Sequence, residues 1–198
     1  MLKTPIMKGL TGVTIGALGT LVLSKKTRLE DNGITTNRYA ICIMYPNNSK
    51  FPDAFGIVSF SQESITSQTK VVAGLRGLNP NGTFGLQLME FGDLTDGPAS
   101  LGGSFHLAGG ASPTVPGQPL AFYRHAGDLG NVMTNEKGAG YSAFTHPAIK
   151  LFGENNIFGR GCAVYSESND PTTSLPKGEI LAGGVIARSN SFKNLPPA

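Results

Sequence analysis

The stretch "GTFGLQLMEFGD", residues 82–93, decides the fold of this sequence and the chemistry of its site. Its apolar residues alternate as in a β-strand, where residues two apart point to the same side. Gln87 and Met89 therefore lie side by side on one face of the predicted strand. An amide and a thioether are a poor ligand pair for a hard divalent ion. The strand predicts either an unusual site or one whose ligands have been replaced.

Outward from this strand, the chain consists of short apolar runs separated by turn sequences. Glycine and proline are abundant, at 27 and 13 of 198 residues, and only 15% of residues are charged. No convincing amphipathic helix interrupts the runs, so seven or eight strands predict a one-domain β-sandwich or barrel. The clearest predicted strands are residues 39–44, 54–61, 70–75, 85–90, 139–145, 163–165 and 180–187.

Charge and cysteine content restrict the partners and the chemistry. The net charge is +3, and the basic residues form no stripe with interleaved aromatics, which indicates that nucleic acid is not a partner. Cys42 and Cys162 each lie inside an apolar run, which favours buried thiols acting as small hydrophobic side chains. A disulfide between them remains an alternative, so the compartment stays open.

Residues 1–30 form a separate amino-terminal segment, predicted to be a hydrophobic anchor or an uncleaved targeting sequence. Its uncharged part, residues 9–24, is shorter than the about 20 residues of a membrane span, although flanking lysines could compensate. A signal peptide and a mitochondrial presequence are the other interpretations. The anchor is favoured because four glycines share one helical face, on which a second transmembrane helix could pack. They are Gly9, Gly12, Gly16 and Gly19.

Four stretches then follow one another along the chain: "GLRGLNPNGTFGLQLMEFGDLTDG", "RHAGDLGNV", "LFGENNIFGRGCAVY" and "LAGGVIA". In this order they resemble the motifs of the copper/zinc superoxide dismutase family. The resemblance implies that residues 39–188 form an eight-stranded, all-β Greek-key barrel, an immunoglobulin-like sandwich with two long loops over one face. Residues 189–198 are then a carboxy-terminal tail.

The resemblance also implies where copper would bind, and there the chain departs from the family. The family has histidines at all four positions, whereas this chain has Gln87, Met89, Ser104 and Tyr165. Copper in this chemistry cycles between two oxidation states, and histidines tune its potential. The sequence therefore predicts a pseudoenzyme without copper. We expect the four side chains to fill the former site, with Ser104 or Tyr165 as hydrogen-bond partner of Gln87.

On the zinc side, the resemblance assigns two ligand positions that the chain retains, His125 and Asp128. His106 could supply a third ligand, so a residual zinc site is an alternative to the prediction of no cofactor. In the structural interpretation, Asp128 accepts hydrogen bonds from a loop and His125 packs against it. His146 is predicted to be an ordinary surface or loop histidine.

Two further functional parts of the family are replaced as well. The positions of its loop disulfide hold Pro98 and Gly183, and the position of the arginine that guides the anion to copper holds Ile180. The simultaneous loss of ligands, disulfide and guide is typical of a chain released from catalytic constraint.

These observations predict a catalytically inactive barrel that serves as a structural or accessory subunit. We expect other protein subunits of a membrane assembly as partners, a respiratory-type complex of the mitochondrial inner membrane being the specific hypothesis. Dimerisation through a barrel face is a further expectation. One alternative is a viral or host-interaction binding module or decoy, in a virion or at a secretory-pathway membrane. Others are a zinc-only protein and a repurposed enzyme, for which only His125, Asp128, His106 and Glu90 are candidates.

Overall fold

The computed structural model describes residues 37–47, 51–107, 125–170 and 175–195. The described chain forms eight β-strands and one 3-10 helix, Gly97–Leu101. The predicted anchor, with its four glycines, lies outside the described residues. The strands are β1 (Arg38–Pro46), β2 (Phe55–Gln62), β3 (Thr69–Arg76), β4 (Thr83–Met89), β5 (Asp128–Met133), β6 (Gly140–His146), β7 (Gly161–Tyr165) and β8 (Ile180–Ser189).

The strands form one antiparallel sheet in the order β5-β4-β7-β8-β1-β2-β3-β6. The two outer strands of this order, β5 and β6, also contact each other, so the sheet nearly closes into a barrel. The connections from β3 to β4 and from β6 to β7 join strands that are not neighbours, as in a Greek key. The prediction of an all-β, eight-stranded barrel is confirmed.

The core fills the barrel because alternate residues of each strand point inward. On β1 these residues are Ala40, Cys42 and Met44, which are fully buried. The opposing strands contribute mainly aliphatic side chains and the buried Phe60. A side chain at Gly56 would meet the ends of the Met44 and Leu75 side chains, which would have to shift.

The two cysteines lie in this core as free thiols. Burial raises the pKa of the Cys162 thiol well above its usual value, and the neighbouring Cys42 raises it further. The Cys162 thiol therefore remains protonated at neutral pH and unreactive. This confirms the prediction that they act as small hydrophobic side chains.

The segment after β8 lies against the outside of the barrel. Lys193 N donates to Ser59 Oγ at 2.9 Å, and the Leu195 side chain packs over Gly74. These contacts hold the start of the predicted carboxy-terminal tail on β2 and β3.

One strand, β5, was not predicted from the apolar runs. Its sequence, "DLGNVM", begins with an aspartate and contains Gly130 and Asn131, which are typical of turns. The seven predicted strands match the other seven observed strands, with boundaries that differ by at most two residues at either end.

Gln62, at the end of β2, joins two loops of the barrel. Its side chain is 1% exposed; Nε2 donates to Ser67 O at 2.8 Å, and Oε1 accepts from Leu151 N at 2.6 Å. One buried amide therefore satisfies two backbone groups.

Replacing Gln62 with alanine removes both hydrogen bonds and leaves the buried Leu151 N–H without this acceptor. We expect the Gln62→Ala variant to lose about 2–4 kcal/mol of unfolding free energy, measured by urea denaturation. Gln68→Ala is the matched control, because Gln68 is exposed. Equal stability of the two variants would contradict this role of Gln62.

Candidate functional site

Strand β4 places two of the four former copper positions on the outside of the barrel, beneath a loop. Phe84, Leu86 and Leu88 point into the core, so Gln87 and Met89 face the opposite way. The loop that carries the 3-10 helix covers them: Met89 forms a β-bridge with Ser104, and Phe105 N donates to Leu88 O at 2.8 Å. Gln87 and Met89 are consequently 0% exposed.

The four side chains contact one another in two pairs. Ser104 Oγ donates to Gln87 Oε1 at 3.2 Å, and the Tyr165 hydroxyl donates to Met89 Sδ at 3.9 Å. Burial raises the pKa of the Tyr165 phenol above its usual value. The phenol is therefore a neutral donor at physiological pH.

An apolar cluster surrounds this site. Met89, Leu101 and Ala163 form its buried centre, and Tyr165 and Ile180 pack against it. Ile180 occupies the position at which the resemblance implies a guiding arginine. The side chain at position 180 is therefore apolar, whereas an anion bound there would need a cation.

Pro98 and Gly183 meet at the place where the resemblance implies a disulfide. A Cβ atom built on Gly183 would lie 2.8 Å from Pro98 Cβ and 2.9 Å from Leu101 Cδ1. The proline therefore rests directly on the glycine of β8, and van der Waals contact holds the loop there.

A disulfide built at these two positions should fix the loop to β8. We expect the Pro98→Cys/Gly183→Cys variant to gain about 2–4 kcal/mol of unfolding free energy in its oxidised form, because the bridge closes a long loop. Denaturant unfolding with and without reductant measures the gain. The Pro98→Ser/Gly183→Ser variant controls for the substitutions. A thiol assay of the denatured, oxidised variant should find only the two native thiols, Cys42 and Cys162, and four free thiols would contradict the expected proximity.

On the predicted zinc side, Asp128 is held by two donors. Its Oδ1 accepts from Gly130 N and from Asn169 Nδ2, both at 2.7 Å, and the residue is 3% exposed. His125 instead meets His106, with ring centroids 4.9 Å apart and the rings edge to face. Within the described part of the chain, no three histidine, cysteine or acidic side chains are grouped so that they could hold a metal ion.

Asn169 is a site residue that the sequence analysis missed. It is buried, and its Nδ2 also lies 3.1 Å from Gly130 O and 3.4 Å from Leu86 O. The amide therefore connects the loop after β7 to β4 and β5. Its Oδ1 lies against Gly85, at which a side chain would collide with it. The only signal in the sequence is the turn-forming "NDP" that Asn169 begins.

A carboxyl group at position 169 would lie beside the Asp128 carboxylate. We expect Asn169→Asp to lose about 2–4 kcal/mol of unfolding free energy at pH 7, because the donor is lost and like charges are buried together. In the folded state the new carboxyl should have a pKa above the about 3.9 of an unfolded aspartate. The folded state then binds more protons, so stability falls as pH rises through that raised pKa, and the loss disappears below about pH 4.

Urea unfolding of the Asn169→Asp variant between pH 4 and 8 measures this dependence, relative to the parent chain. Asn190→Asp adds the same charge at an exposed position and serves as control. A pH profile of Asn169→Asp parallel to that of the control would contradict the proposed contact.

The remaining candidates are His146 and Glu90. His146 is buried at the end of β6, and its Nδ1 accepts from Ala148 N at 3.2 Å and Ile149 N at 3.4 Å. The prediction of an ordinary surface or loop histidine is therefore wrong, because the ring caps a buried turn. Glu90 and His106 line an open surface cavity of about 570 Å³, with Glu154 and Arg160.

Comparison with known proteins agrees with the motifs and the fold. The family model "Copper/zinc superoxide dismutase (SODC)" matches residues 54–188. A protein of Paramecium bursaria Chlorella virus 1 is 38% identical over 115 residues, 58% of either chain. Relatives in Schizosaccharomyces pombe and Saccharomyces cerevisiae are 32% and 35% identical, over 68% and 58% of this chain and 84% and 72% of their own lengths. All three are named "Superoxide dismutase [Cu-Zn]".

These findings correct the predicted function. The prediction of a catalytically inactive accessory subunit of a mitochondrial respiratory-type membrane complex is wrong, because the matched relatives are named as superoxide dismutases and not as subunits of such a complex. Within the described ranges, the structure also contains no helix with the length and apolarity needed to cross a membrane.

Proposed function

Because this chain belongs to the copper/zinc superoxide dismutase family, we propose that it is a pseudoenzyme of that family in which the copper ligands are replaced. The observation that carries the proposal is the buried contact between Ser104 and Gln87, 3.2 Å long, at two of the four copper positions. Both side chains use each other as hydrogen-bond partners in a site with no exposed surface at Gln87.

The donor set does not fit copper that cycles between two oxidation states. Gln87 offers a weak amide oxygen, Ser104 a neutral hydroxyl and Met89 a soft thioether. Tyr165 could contribute an anionic ligand only as a phenolate, and burial raises its pKa. No imidazole is present at the four positions to tune the potential of the metal, so we derive no dismutation step through them.

A zinc ion would bind to a different set of residues from the four copper positions. His125 and His106 lie together, but Oδ1 of Asp128 already accepts two hydrogen bonds. We propose that the chain has no cofactor and that its Asp128 carboxylate organises the loop after β7 through Asn169. Zinc bound by His125, Asp128 and His106 is the alternative that metal analysis distinguishes.

Superoxide dismutation is the second candidate function, and the names of the relatives favour it. It would require a metal held in a way that the four positions described above do not provide.

Metal content and dismutation measured on the same preparation distinguish the two candidates. We expect the full chain, purified after growth with copper and zinc, to contain copper far below one ion per chain by mass spectrometry and to show no copper-dependent consumption of superoxide. The Gln87→His/Met89→His/Ser104→His/Tyr165→His variant restores imidazoles and should gain copper.

Stoichiometric copper together with copper-dependent dismutation by the unsubstituted chain would overturn the pseudoenzyme proposal in favour of the second candidate. Stoichiometric zinc without copper would instead identify the zinc-only alternative. The predicted partners, the barrel-face dimer and the location in the cell stay predictions.

A further inference from the structure

The turn before β4 carries a tripeptide that neither the fold nor the candidate site explains. Residues 81–83 read "NGT", which is the pattern Asn-X-Thr in which X is not proline. Enzymes that attach N-linked glycans recognise this pattern, so the turn is a candidate modification site. Residues 47–49, "NNS", form a second tripeptide of the same type. The structure distinguishes the asparagines of the two tripeptides.

The Asn81 side chain lies in solvent at the turn. Asn81 is exposed, and its backbone φ of 54° lies in the left-handed region, which asparagine adopts more readily than most residues. Within the described ranges, its side-chain amide forms no hydrogen bond, so Nδ2 is free to react. Thr83 carries the hydroxyl that the tripeptide requires, and it is exposed as well.

The turn itself does not depend on the Asn81 side chain. Asn81 N donates to Asn135 O at 3.1 Å, and Gly82 N donates to Thr134 Oγ1 at 2.9 Å. Thr134 Oγ1 in turn donates to Asn79 O at 2.7 Å. These contacts use only backbone groups of the turn, so a group attached to Asn81 Nδ2 would leave them intact.

Asn47 differs from Asn81, because it lies where the end of β1 meets the start of β8. Its Nδ2 donates to Ile180 O at 2.9 Å, and its backbone N donates to Leu181 O at 2.8 Å. Asn47 is also partly buried. A sugar on Asn47 Nδ2 would press against β8 and disturb these contacts, whereas a sugar on Asn81 would extend into solvent.

We propose that Asn81 is the acceptor of an N-linked glycan and that Asn47 is not. In the transfer, Asn81 Nδ2 forms a bond to C1 of the first sugar of a lipid pyrophosphate-linked oligosaccharide. The bond between C1 and the pyrophosphate oxygen breaks, the lipid pyrophosphate leaves, and the amide loses one proton. This transfer takes place in the secretory pathway, which is one of the alternatives for the location of this chain.

Expression of the full chain in eukaryotic cells, behind a cleavable secretion signal, tests the proposal on the secreted protein. We expect a peptide N-glycosidase to increase the electrophoretic mobility in a single step and to convert Asn81 to aspartate, which peptide mass spectrometry detects. Asn81→Asp and Thr83→Ala should both lose this step completely. Thr83→Ser should keep it, because serine retains the hydroxyl.

Ser49→Ala is the matched control, because it removes the other tripeptide in the way that Thr83→Ala removes the first and leaves Asn47 unchanged. Its single mobility step should persist. Asn81→Asp should keep the thermal unfolding temperature of the unglycosylated parent produced in bacteria, because aspartate also adopts the left-handed conformation and no side-chain hydrogen bond is lost. That measurement separates a lost acceptor from a lost fold.

Secreted parent chain without a glycan at Asn81 would overturn the proposal. A glycan that persists in Asn81→Asp or Thr83→Ala, or one that Ser49→Ala removes, would overturn it as well. A glycan that is lost in Asn81→Asp and Thr83→Ala and kept in Ser49→Ala would support it.

Discussion

Strand β4 is buried on both of its faces, and the arrangement of the site follows from this constraint. Leu86 and Leu88 fill the barrel core, while Gln87 and Met89 are covered by the loop that runs from the 3-10 helix to Ser104. A polar side chain on a doubly buried strand needs a partner within the protein. Ser104 meets this need at Gln87, and the apolar surroundings of Met89 suit a thioether.

The same constraint explains the network around Asn169. The loop after β7 reaches the outer side of β4 only because Gly85 has no side chain there, and the Asn169 amide then meets the Asp128 carboxylate and two backbone carbonyls. One amide thus connects three parts of the barrel that are distant in sequence. In this network the Asp128 carboxylate stabilises the fold as a hydrogen-bond acceptor, without any metal.

The sequence predicts most of the fold, because strand period and turn residues are local signals. Alternation reveals β4 and its paired Gln87 and Met89, and the ordered motifs reveal the barrel. Local signals fail where long-range contacts decide the structure. Strand β5 contains the turn-forming residues Asp128, Gly130 and Asn131, yet it is a strand because it pairs with β4. No pattern within its own sequence shows this pairing. His146 and Asn169 look like loop residues, yet folding buries both. The motifs give the positions of the site in the sequence. They do not determine its function, which depends on the side chains that occupy those positions.

Strand β8 lies between β7 and β1, so the strand pairing that joins the two halves of the sheet is made by the last strand that the structure describes. During synthesis, β1 and β7 leave the ribosome earlier and present unpaired edges until β8 follows. Exposed edges of this kind invite pairing with other chains. Slower emergence of β8 would therefore prolong the exposure of these edges and favour aggregation during synthesis, even if the finished barrel were equally stable.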